Sequence, residues 1–281
     1  KRQGRERNVQ IVLWLTWLAV EKDMDRLFAT LEEWGIPGVK IDFMDRSDQW
    51  MVGYYERVMK CAARHRLFVD MHGSYTPKGL CRTYPNLLTY EGVLGMEQGA
   101  RCKPENSNWL PFIRNAVGPM DFTPGSMFSA QPEDNRSTGA NPMGTGTRAY
   151  QMALYVVSES PLQMPADNPV LYRREHLCTE FLAAVPTTWD SLRVCGREVV
   201  VARRKGDKWY VGGITNDRSY TTEIALDFLP AGRTFTKTSF EDGVNADLQA
   251  TDYRKRVREV DASTVVKVEM VRNGGWAAVI E

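Results

Sequence analysis

The sequence predicts an α/β protein, in which a partial (β/α)8 barrel of the TIM type is followed by a small all-β sandwich domain. Two observations predict the barrel: short apolar strands alternate with amphipathic helices, and carboxylates stand at the strand ends. After Pro186 the segments shorten and lose helical periodicity, and Gly, Asn, Asp and Pro turns separate them. We therefore place the barrel domain at residues 1–185 and the all-β domain at residues 186–281.

Composition excludes several classes of function. The 281 residues are 43% hydrophobic and 25% charged, which allows a sizeable core. The net charge is +1, from 36 basic and 35 acidic residues mixed along the chain, so we predict no binding to nucleic acid. No apolar run is long enough to span a bilayer, and no membrane insertion is predicted. The N-terminus lacks Met and a signal-peptide core, which indicates a fragment or mature piece.

The cysteines and histidines do not indicate transition-metal chemistry. The five cysteines form no Cys-x-x-Cys pair, and their odd number argues against a disulfide framework. The three histidines lack the spacing of zinc-protease motifs. We therefore predict buried or incidental thiols and no transition-metal site.

Strands and helices alternate in the first part of the chain. Residues Val9–Trp17 form an apolar run typical of a strand buried on both faces. The polar residues 21–23 can cap a helix whose apolar residues follow i, i+3, i+4, i+7 spacing, and Gly35 ends it. A strand at Gly38–Phe43 follows directly. This order predicts the first strand–helix–strand unit.

Two further strands continue the pattern. Ser47 or Asp48 can cap a second helix, and strands are predicted at Leu67–Met71 and at Leu87–Tyr90. Strands separated by helices pair in parallel through right-handed crossovers, as in a βαβ sheet or a barrel. We therefore expect these strands to be neighbours in one parallel sheet.

The second part of the chain follows the pattern more loosely and then changes. Helices are predicted at Thr147–Val157 and Arg174–Ala184, with a strand near Leu162–Met164 between them. Only about six strand positions of an eight-stranded barrel can be counted, so the first strands are predicted to be missing. The all-β domain is predicted from strand-like segments at Arg197–Arg204, Lys208–Ile214, Thr221–Phe228 and Thr264–Val271.

Carboxylates follow two of the predicted strands. Asp42 ends the run Gly-Val-Lys-Ile-Asp at residues 38–42, and Glu91 and Glu97 follow the strand that ends at Tyr90. This is the edge where α/β folds collect catalytic residues, so the chain is predicted to be an enzyme. From the residues alone, capping of the following loop explains Asp42 as well as catalysis does.

Five short runs, in order along nearly the whole chain, carry a family resemblance. They are Gly-Val-Lys-Ile-Asp-Phe-Met-Asp-Arg (38–46), Gly-Leu-Cys-Arg-Thr-Tyr-Pro-Asn (79–86), Glu-Gly-Val-Leu-Gly-Met-Glu (91–97), Gly-Pro-Met-Asp-Phe-Thr-Pro-Gly (118–125) and Glu-Ser-Pro-Leu-Gln-Met (159–164). Together they resemble glycoside hydrolase family 97. Its members have an N-terminal β-sandwich, a central (β/α)8 barrel and a C-terminal β-domain. The resemblance implies that this chain holds the later barrel strands and the C-terminal domain.

The resemblance also implies a reaction, because the family contains inverting α-glucosidases and retaining α-galactosidases. In inverting members the base is a Glu directly after a His at the end of strand five, and here that dipeptide is His72-Gly73. In retaining members the nucleophile is an Asp at the end of strand four, the position of Asp42. The resemblance thus implies a retaining α-galactosidase with an α-linked galactoside or other oligosaccharide as substrate, Asp42 as nucleophile and Glu97 as acid/base. An inverting α-glucosidase and an inactive carbohydrate-binding fragment are the alternatives.

A cofactor and a location are implied as well. In the family, the positions of Glu91 and Glu97 help to bind a calcium ion, and carboxylate oxygens suit this hard cation. A further calcium ligand in the family comes from the N-terminal domain, so we expect this chain alone to bind calcium weakly and to have little activity. By the same resemblance, the protein is expected in the periplasm or outside the cell.

Substrate binding is predicted for three further residues. Lys40 precedes the nucleophile position and favours its charged form, and His72 stands at a strand end beside a small residue. For Asp121 the sequence leaves two roles, contact with the substrate or stabilisation of a loop. The tryptophans of the first 50 residues could stack on sugar rings, but they lie in strand or helix runs, and most of the four are predicted to be core: Trp14, Trp17, Trp34 and Trp50.

Overall fold

The computed structural model describes residues 2–139, 141–195 and 199–281, which form two compact units. The first unit runs to Val93 and adds Arg114–Asp121 and Ser160–Leu162. The second consists of the remaining segments, from Leu94 onward. The predicted division at residues 185 and 186 lies inside the second unit, and it stays a prediction about the folding domains.

A parallel four-stranded sheet, in the order β1-β2-β3-β4, is the centre of the first unit. The elements are α1 (Arg2–Glu6), β1 (Val12–Thr16), α2 (Trp17–Lys22), α3 (Met24–Glu33), β2 (Gly38–Asp42), α4 (Gln49–Arg64), β3 (Phe68–Met71), α5 (Leu80–Thr83) and β4 (Leu87–Tyr90). Sequential strand order and parallel pairing confirm the α/β expectation for this part of the chain. A parallel bridge from Tyr90 to Met120 continues the sheet by one more position.

Local sequence signals fix the ends of the helices here. The Asp48 carboxylate accepts hydrogen bonds from the backbone N–H groups of Trp50 and Met51, at 3.1 and 3.2 Å, which confirms it as the cap of α4. Gly35 has φ of +65°, a conformation that glycine adopts without strain, and ends the helical run as predicted.

Two predictions for the start of the chain are wrong, and one is confirmed. The run Val9–Trp17 is not buried on both faces, because β1 is an edge strand of the described sheet and Trp14 is 49% exposed. The helix expected after the polar residues 21–23 is confirmed as α3, and Asp23 stands at its N-cap position without a side-chain capping hydrogen bond. The tryptophans Trp34 and Trp50 are also exposed rather than core.

The second unit combines helices with an antiparallel β-domain. Its elements are α6 (Pro104–Ser107), α7 (Leu110–Ile113), β5 (Ser129–Ala130), β6 (Gly144–Thr145), α8 (Arg148–Val157), α9 (Pro169–Arg174), α10 (His176–Ala184), β7 (Ser191–Val194), β8 (Val199–Lys205), β9 (Lys208–Ile214), β10 (Tyr220–Ala225), β11 (Phe235–Asp242), β12 (Tyr253–Val260), β13 (Val265–Met270) and β14 (Gly275–Ile280). The six-stranded sheet has the order β12-β11-β14-β9-β8-β7, and β10 pairs with β13.

The core of the β-domain lies between these two sheets, as a sandwich requires. Trp276 and Val211 of the large sheet share this core with Val268 of the small one. Helix α8 packs against the large sheet, and glycines make the close approach possible. A Cβ at Gly275 would stand 2.4 Å from the Tyr150 Cα atom, so a side chain has no room there.

The prediction of a strand near Leu162–Met164 is wrong, since no strand is present there. Pro161 and Pro165 bracket this segment, and proline cannot donate a ladder hydrogen bond. The expected strand Lys208–Ile214 is confirmed as β9, and those near Thr221–Phe228 and Thr264–Val271 are confirmed with slightly different ends. Residues 197 and 198 of the expected strand at Arg197–Arg204 lie outside the described residues, and β8 begins at Val199. Within the described ranges, no helix is both long and apolar enough to cross a bilayer.

Candidate active site

Asp42, the last residue of β2, is nearly buried, and its carboxylate is surrounded by hydrogen-bond donors. The Trp14 Nε1–H group donates to Oδ2 at 2.9 Å, and the Phe43 backbone N–H donates to Oδ1 at 2.6 Å. The Nδ1 atom of His72 lies 3.3 Å from Oδ2. Burial raises the pKa of Asp42, but the hydrogen bonds from His72, Trp14 and Phe43 outweigh it and hold the pKa below its ordinary value. Asp42 is therefore an ionised carboxylate near neutral pH.

His72 lies between the Asp42 carboxylate and two further acidic side chains, those of Glu91 and Asp121. It directly follows β3, and its backbone N–H donates to the Ile41 carbonyl at 2.8 Å, which fixes it beside Asp42. Its Nε2 atom lies 3.5 Å from Glu91 Oε1 and 3.7 Å from Asp121 Oδ2. Burial lowers the pKa of His72, but the hydrogen bond to Asp42 and the charges of Glu91 and Asp121 raise it overall. The raised pKa favours the protonated imidazole, whose Nδ1 atom faces Asp42.

The backbone around Asp42 has room only for glycine at residue 73. Gly73 has φ of +54°, and a Cβ there would stand 2.8 Å from the Phe43 nitrogen and 2.9 Å from Asp42 Oδ1. Phe43 itself has φ of +66°, which is uncommon for a bulky residue and indicates local strain next to a functional group. Any side chain at residue 73 would thus displace the Asp42 carboxylate or the turn that holds it.

A second polar layer lies one step back along the same strands. The parallel register sets Lys40 opposite Asp70, and alternation puts Lys40 on the same sheet face as Asp42. The Lys40 ammonium donates to Asp121 Oδ2 at 2.5 Å and lies 3.8 Å from Asp70 Oδ2. Both aspartate side chains are fully buried.

Asp70 is the unusual member of this layer, because neither of its oxygens has a hydrogen-bond donor within the described residues. Burial is the largest cause that raises the pKa of Asp70 well above its ordinary value, and Asp121 adds to the effect. The raised pKa favours the neutral acid form of Asp70, and Lys40 lies closer to Asp121 than to Asp70. Substrate contacts of Lys40, His72 and Asp121 stay predictions, and the three side chains contact one another or neighbouring carboxylates in the structure.

Glu91 follows β4 and is held by the backbone. Its Oε2 atom accepts a hydrogen bond from the Gly73 N–H at 2.8 Å, and the Glu91 N–H donates to the Met71 carbonyl at 2.7 Å. The Arg114 guanidinium, which is buried, fixes the same turn through several backbone carbonyls. These belong to Tyr90, Glu91, Gly92, Gly118 and Pro119. A cavity of about 350 Å³ opens beside Glu91 and is also lined by Asp45, Ser74 and Tyr75.

Glu97 lies in the second unit, in the short 3-10 segment Met96–Arg101. Its backbone N–H donates to the Thr123 hydroxyl oxygen at 3.0 Å, and its exposed side chain accepts a hydrogen bond from Gln98 at 3.3 Å. An exposed carboxylate on an anchored backbone can exchange protons with a bound molecule. Its predicted pairing with Asp42 stays a prediction.

Three residues of this site were missed by sequence reasoning. Trp14 is one of four tryptophans most of which were expected in the core, and its indole nitrogen donates to Asp42. Asp70 received no role, although a charged residue in an apolar strand is a signal of burial with a partner. Nothing in the sequence marks Arg114, because its acceptors are backbone carbonyls from separate segments.

Comparison with known proteins identifies relatives of the chain. The profile described as "Glycoside hydrolase 97" matches residues 2–93, and the profile "Glycosyl-hydrolase 97 C-terminal, oligomerisation" matches residues 188–281. The chain is 41% identical to a retaining alpha-galactosidase of Bacteroides thetaiotaomicron, over 98% of this chain and 43% of the relative. It is 34% identical to a probable retaining alpha-galactosidase of Streptomyces bingchenggensis, over 98% of this chain and 41% of the relative. The chain thus spans less than half the length of these curated relatives.

Solved structures give the same result for the fold. A family 97 enzyme from Pseudoalteromonas sp. strain K8, solved with panose and with acarbose, has a TM-score of 0.88 at 31% identity. The similarity covers 100% of this chain and 48% of that one. A beta-arabinopyranosidase has a TM-score of 0.79 at 26% identity, over 99% of this chain and 47% of that one.

The raised pKa of Asp70 predicts a pH-dependent stability. Because the folded-state pKa is raised, folding favours the protonated acid, and the stability it supports falls as pH rises above the unfolded value of about 4. Asn cannot ionise, so Asp70→Asn is expected to gain stability relative to the unmodified chain as pH rises from about 4 toward the raised folded-state pKa of Asp70. Urea unfolding across this range measures the difference. Asp247→Asn, at an exposed position, is the control, and superimposable pH profiles for Asp70→Asn and the unmodified chain would show that Asp70 ionises normally.

Proposed function

Because this chain belongs to glycoside hydrolase family 97, we propose that it carries the two catalytic carboxylates of a retaining α-galactosidase. Asp42 is the nucleophile in this proposal, and Glu97 is the general acid/base. The names of the two curated relatives support the activity, and the substrate is an α-linked galactoside. The match to strands of a longer relative also supports the inference that β1–β4 are consecutive strands of a (β/α)8 barrel.

The state of the Asp42 carboxylate is the observation that carries the proposal. A nucleophilic carboxylate must be ionised, and it must present an oxygen at the strand end, where the substrate binds. Hydrogen bonds from Trp14 and the Phe43 N–H keep Asp42 ionised although it is nearly buried. The same bonds fix its orientation, which lowers the cost of reaching the transition state.

The reaction proceeds in two displacements. An oxygen of Asp42 attacks the anomeric carbon while the Glu97 carboxylic acid transfers its proton to the departing glycosidic oxygen, which gives a glycosyl ester and a free aglycone alcohol. A water molecule then attacks the anomeric carbon, the Glu97 carboxylate takes the water proton, and the ester bond to Asp42 breaks. The released galactose keeps the α-configuration, and both carboxyl groups return to their starting states.

The inverting alternative lacks support in this chain. It requires a carboxylate base at residue 73, where the chain has glycine. A Cβ at that residue would stand 2.9 Å from Asp42 Oδ1, so an acidic side chain there and the observed Asp42 conformation are sterically incompatible. The absence of a side chain at Gly73 therefore favours the retaining mechanism.

We also propose that Glu91 and Glu97 contribute oxygen ligands to a calcium ion. The donor chemistry of Glu91 fits, because carboxylate oxygens are preferred by calcium and its Oε2 atom is already oriented by the Gly73 N–H. When bound, the ion would polarise substrate hydroxyls. In the first unit His72 is the adjacent group at Glu91 Oε1, and imidazole is a poor calcium ligand, so further oxygens must come from elsewhere.

The nucleophile is tested by Asp42→Ala in the enzyme that contains this chain. Loss of the carboxylate is expected to lower kcat by about 10⁴-fold or more, because no covalent intermediate forms. Azide should restore part of the turnover by entering the vacated space. NMR of the first product identifies its anomer. Asp247→Ala, at an exposed aspartate of the β-domain, is the control, and a β-anomer from the unmodified enzyme would refute the retaining assignment.

The acid/base is tested by Glu97→Gln with two substrates. Protonation of the leaving group matters most for a poor leaving group, so the variant should lose far more kcat/KM on raffinose than on an aryl α-galactoside with an acidic phenol. Glu180→Gln, at an exposed glutamate of α10 in the second unit, is the control. Equal losses on the two substrates would mean that Glu97 does not protonate the leaving group.

Calcium binding is tested by calorimetric titration rather than by activity. Calcium should bind the 281-residue chain and raise its unfolding temperature, and Glu91→Gln should weaken binding by about tenfold because one anionic ligand becomes neutral. Glu56→Gln, a glutamate on α4, is the control. Unchanged binding in Glu91→Gln would exclude Glu91 as a ligand.

A further inference from the structure

The second unit carries a hollow that the proposed reaction does not use. It has a volume of about 410 Å³, within the range of small-molecule sites. Its walls are the short segment that holds Glu105 and Trp109, the loop 215–219 between β9 and β10, and Tyr220 at the start of β10. We refer to it as the Trp109 hollow.

Trp109 presents an aromatic surface in this hollow. The residue is 63% exposed, and within the described ranges its ring stacks on no other aromatic ring. Its backbone is anchored, because its N–H donates to the Asn106 carbonyl and its own carbonyl accepts from the N–H groups of Phe112 and Ile113, each at 3.0 Å. A large apolar ring on a fixed backbone is a pre-formed contact surface.

The facing loop supplies polar groups whose backbone is equally fixed. The Thr215 hydroxyl donates to the Arg218 carbonyl at 2.7 Å, and the Arg218 N–H donates to Asn216 Oδ1 at 3.2 Å. The side chains of Asp217 and Arg218 are exposed and, like that of Glu105, take part in no ion pair in the part of the chain that the structure describes. The carboxylates of Glu105 and Asp217 and the guanidinium of Arg218 therefore offer both hydrogen-bond acceptors and donors to a ligand in the hollow.

We propose that the Trp109 hollow is an accessory binding site for a neutral carbohydrate. The apolar face of a sugar ring would stack on Trp109, and its hydroxyl groups would donate to Glu105 and Asp217 and accept from Arg218. The charges in the hollow have both signs, and the two carboxylates disfavour phosphate groups, so a neutral ligand with many hydroxyls fits better than a nucleotide. This site is independent of the role given to Asp42.

The experiment is an NMR titration of the 281-residue chain with raffinose, in parallel with maltotriose, observing the indole N–H signals. The Trp109 indole should shift, with affinity on the order of millimolar, and Trp109→Ala should lower this affinity by about tenfold or more. Arg218→Ala should weaken binding as well. Trp34→Ala, at a similarly exposed tryptophan of the first unit, is the control and should have no effect.

Two further measurements distinguish the Trp109 hollow from the active site and from a subunit interface. Asp42→Asn should leave the Trp109 shifts unchanged, and their loss in that variant would assign them to the active site. Sedimentation of Trp109→Ala tests whether the hollow is instead covered by a second copy of the chain, since residues 188–281 match a profile described by oligomerisation. A change in oligomeric state without sugar binding, or sugar binding that persists in Trp109→Ala, would overturn the proposal.

Discussion

The strand ends of the first unit are arranged around one constraint, which is that the Asp42 carboxylate stays ionised although it is nearly buried. Burial by itself favours the neutral acid. Here Trp14 of β1, the backbone of Phe43 after β2, and His72 after β3 face the carboxylate together. One carboxylate is thus contacted from three consecutive strands, and its orientation depends on all of them.

The polar layer behind Asp42 keeps the surrounding charges in balance. If Asp70 were ionised, the Lys40 ammonium would face two buried carboxylates, and each would lack part of its solvation. A neutral Asp70 leaves one ion pair, between Lys40 and Asp121, in a site where neither aspartate side chain is exposed to water. Lys40 is then a fixed cation on the same sheet face as Asp42.

Gly73 connects this geometry to the choice of mechanism. Its N–H orients Glu91, and the space that its missing side chain leaves is filled by the Asp42 carboxylate and the Phe43 turn. In this chain a base at residue 73 and a nucleophile at residue 42 exclude each other sterically. The proposed retaining mechanism therefore depends on the residues at the ends of two adjacent strands, Asp42 after β2 and Gly73 after β3, rather than on one residue alone.

The sequence by itself determined the local features: the parallel strands Gly38–Asp42 and Leu87–Tyr90, the cap at Asp48, and the placement of Asp42 and Glu91 at strand ends. These depend on periodicity and on neighbours in the chain, which a sequence displays directly. The prediction of a strand near Leu162–Met164 was wrong, because the flanking residues Pro161 and Pro165 cannot donate ladder hydrogen bonds.

Only the tertiary structure decided which distant groups meet. The Trp14 contact with Asp42, the burial that raises the pKa of Asp70 and the carbonyl cluster around Arg114 all join segments far apart in the chain. Register between strands sets such contacts, and burial sets the charge of the groups involved. Neither quantity is encoded in a local pattern, because each depends on the solvent and the neighbours that a side chain acquires only when the sheet is assembled.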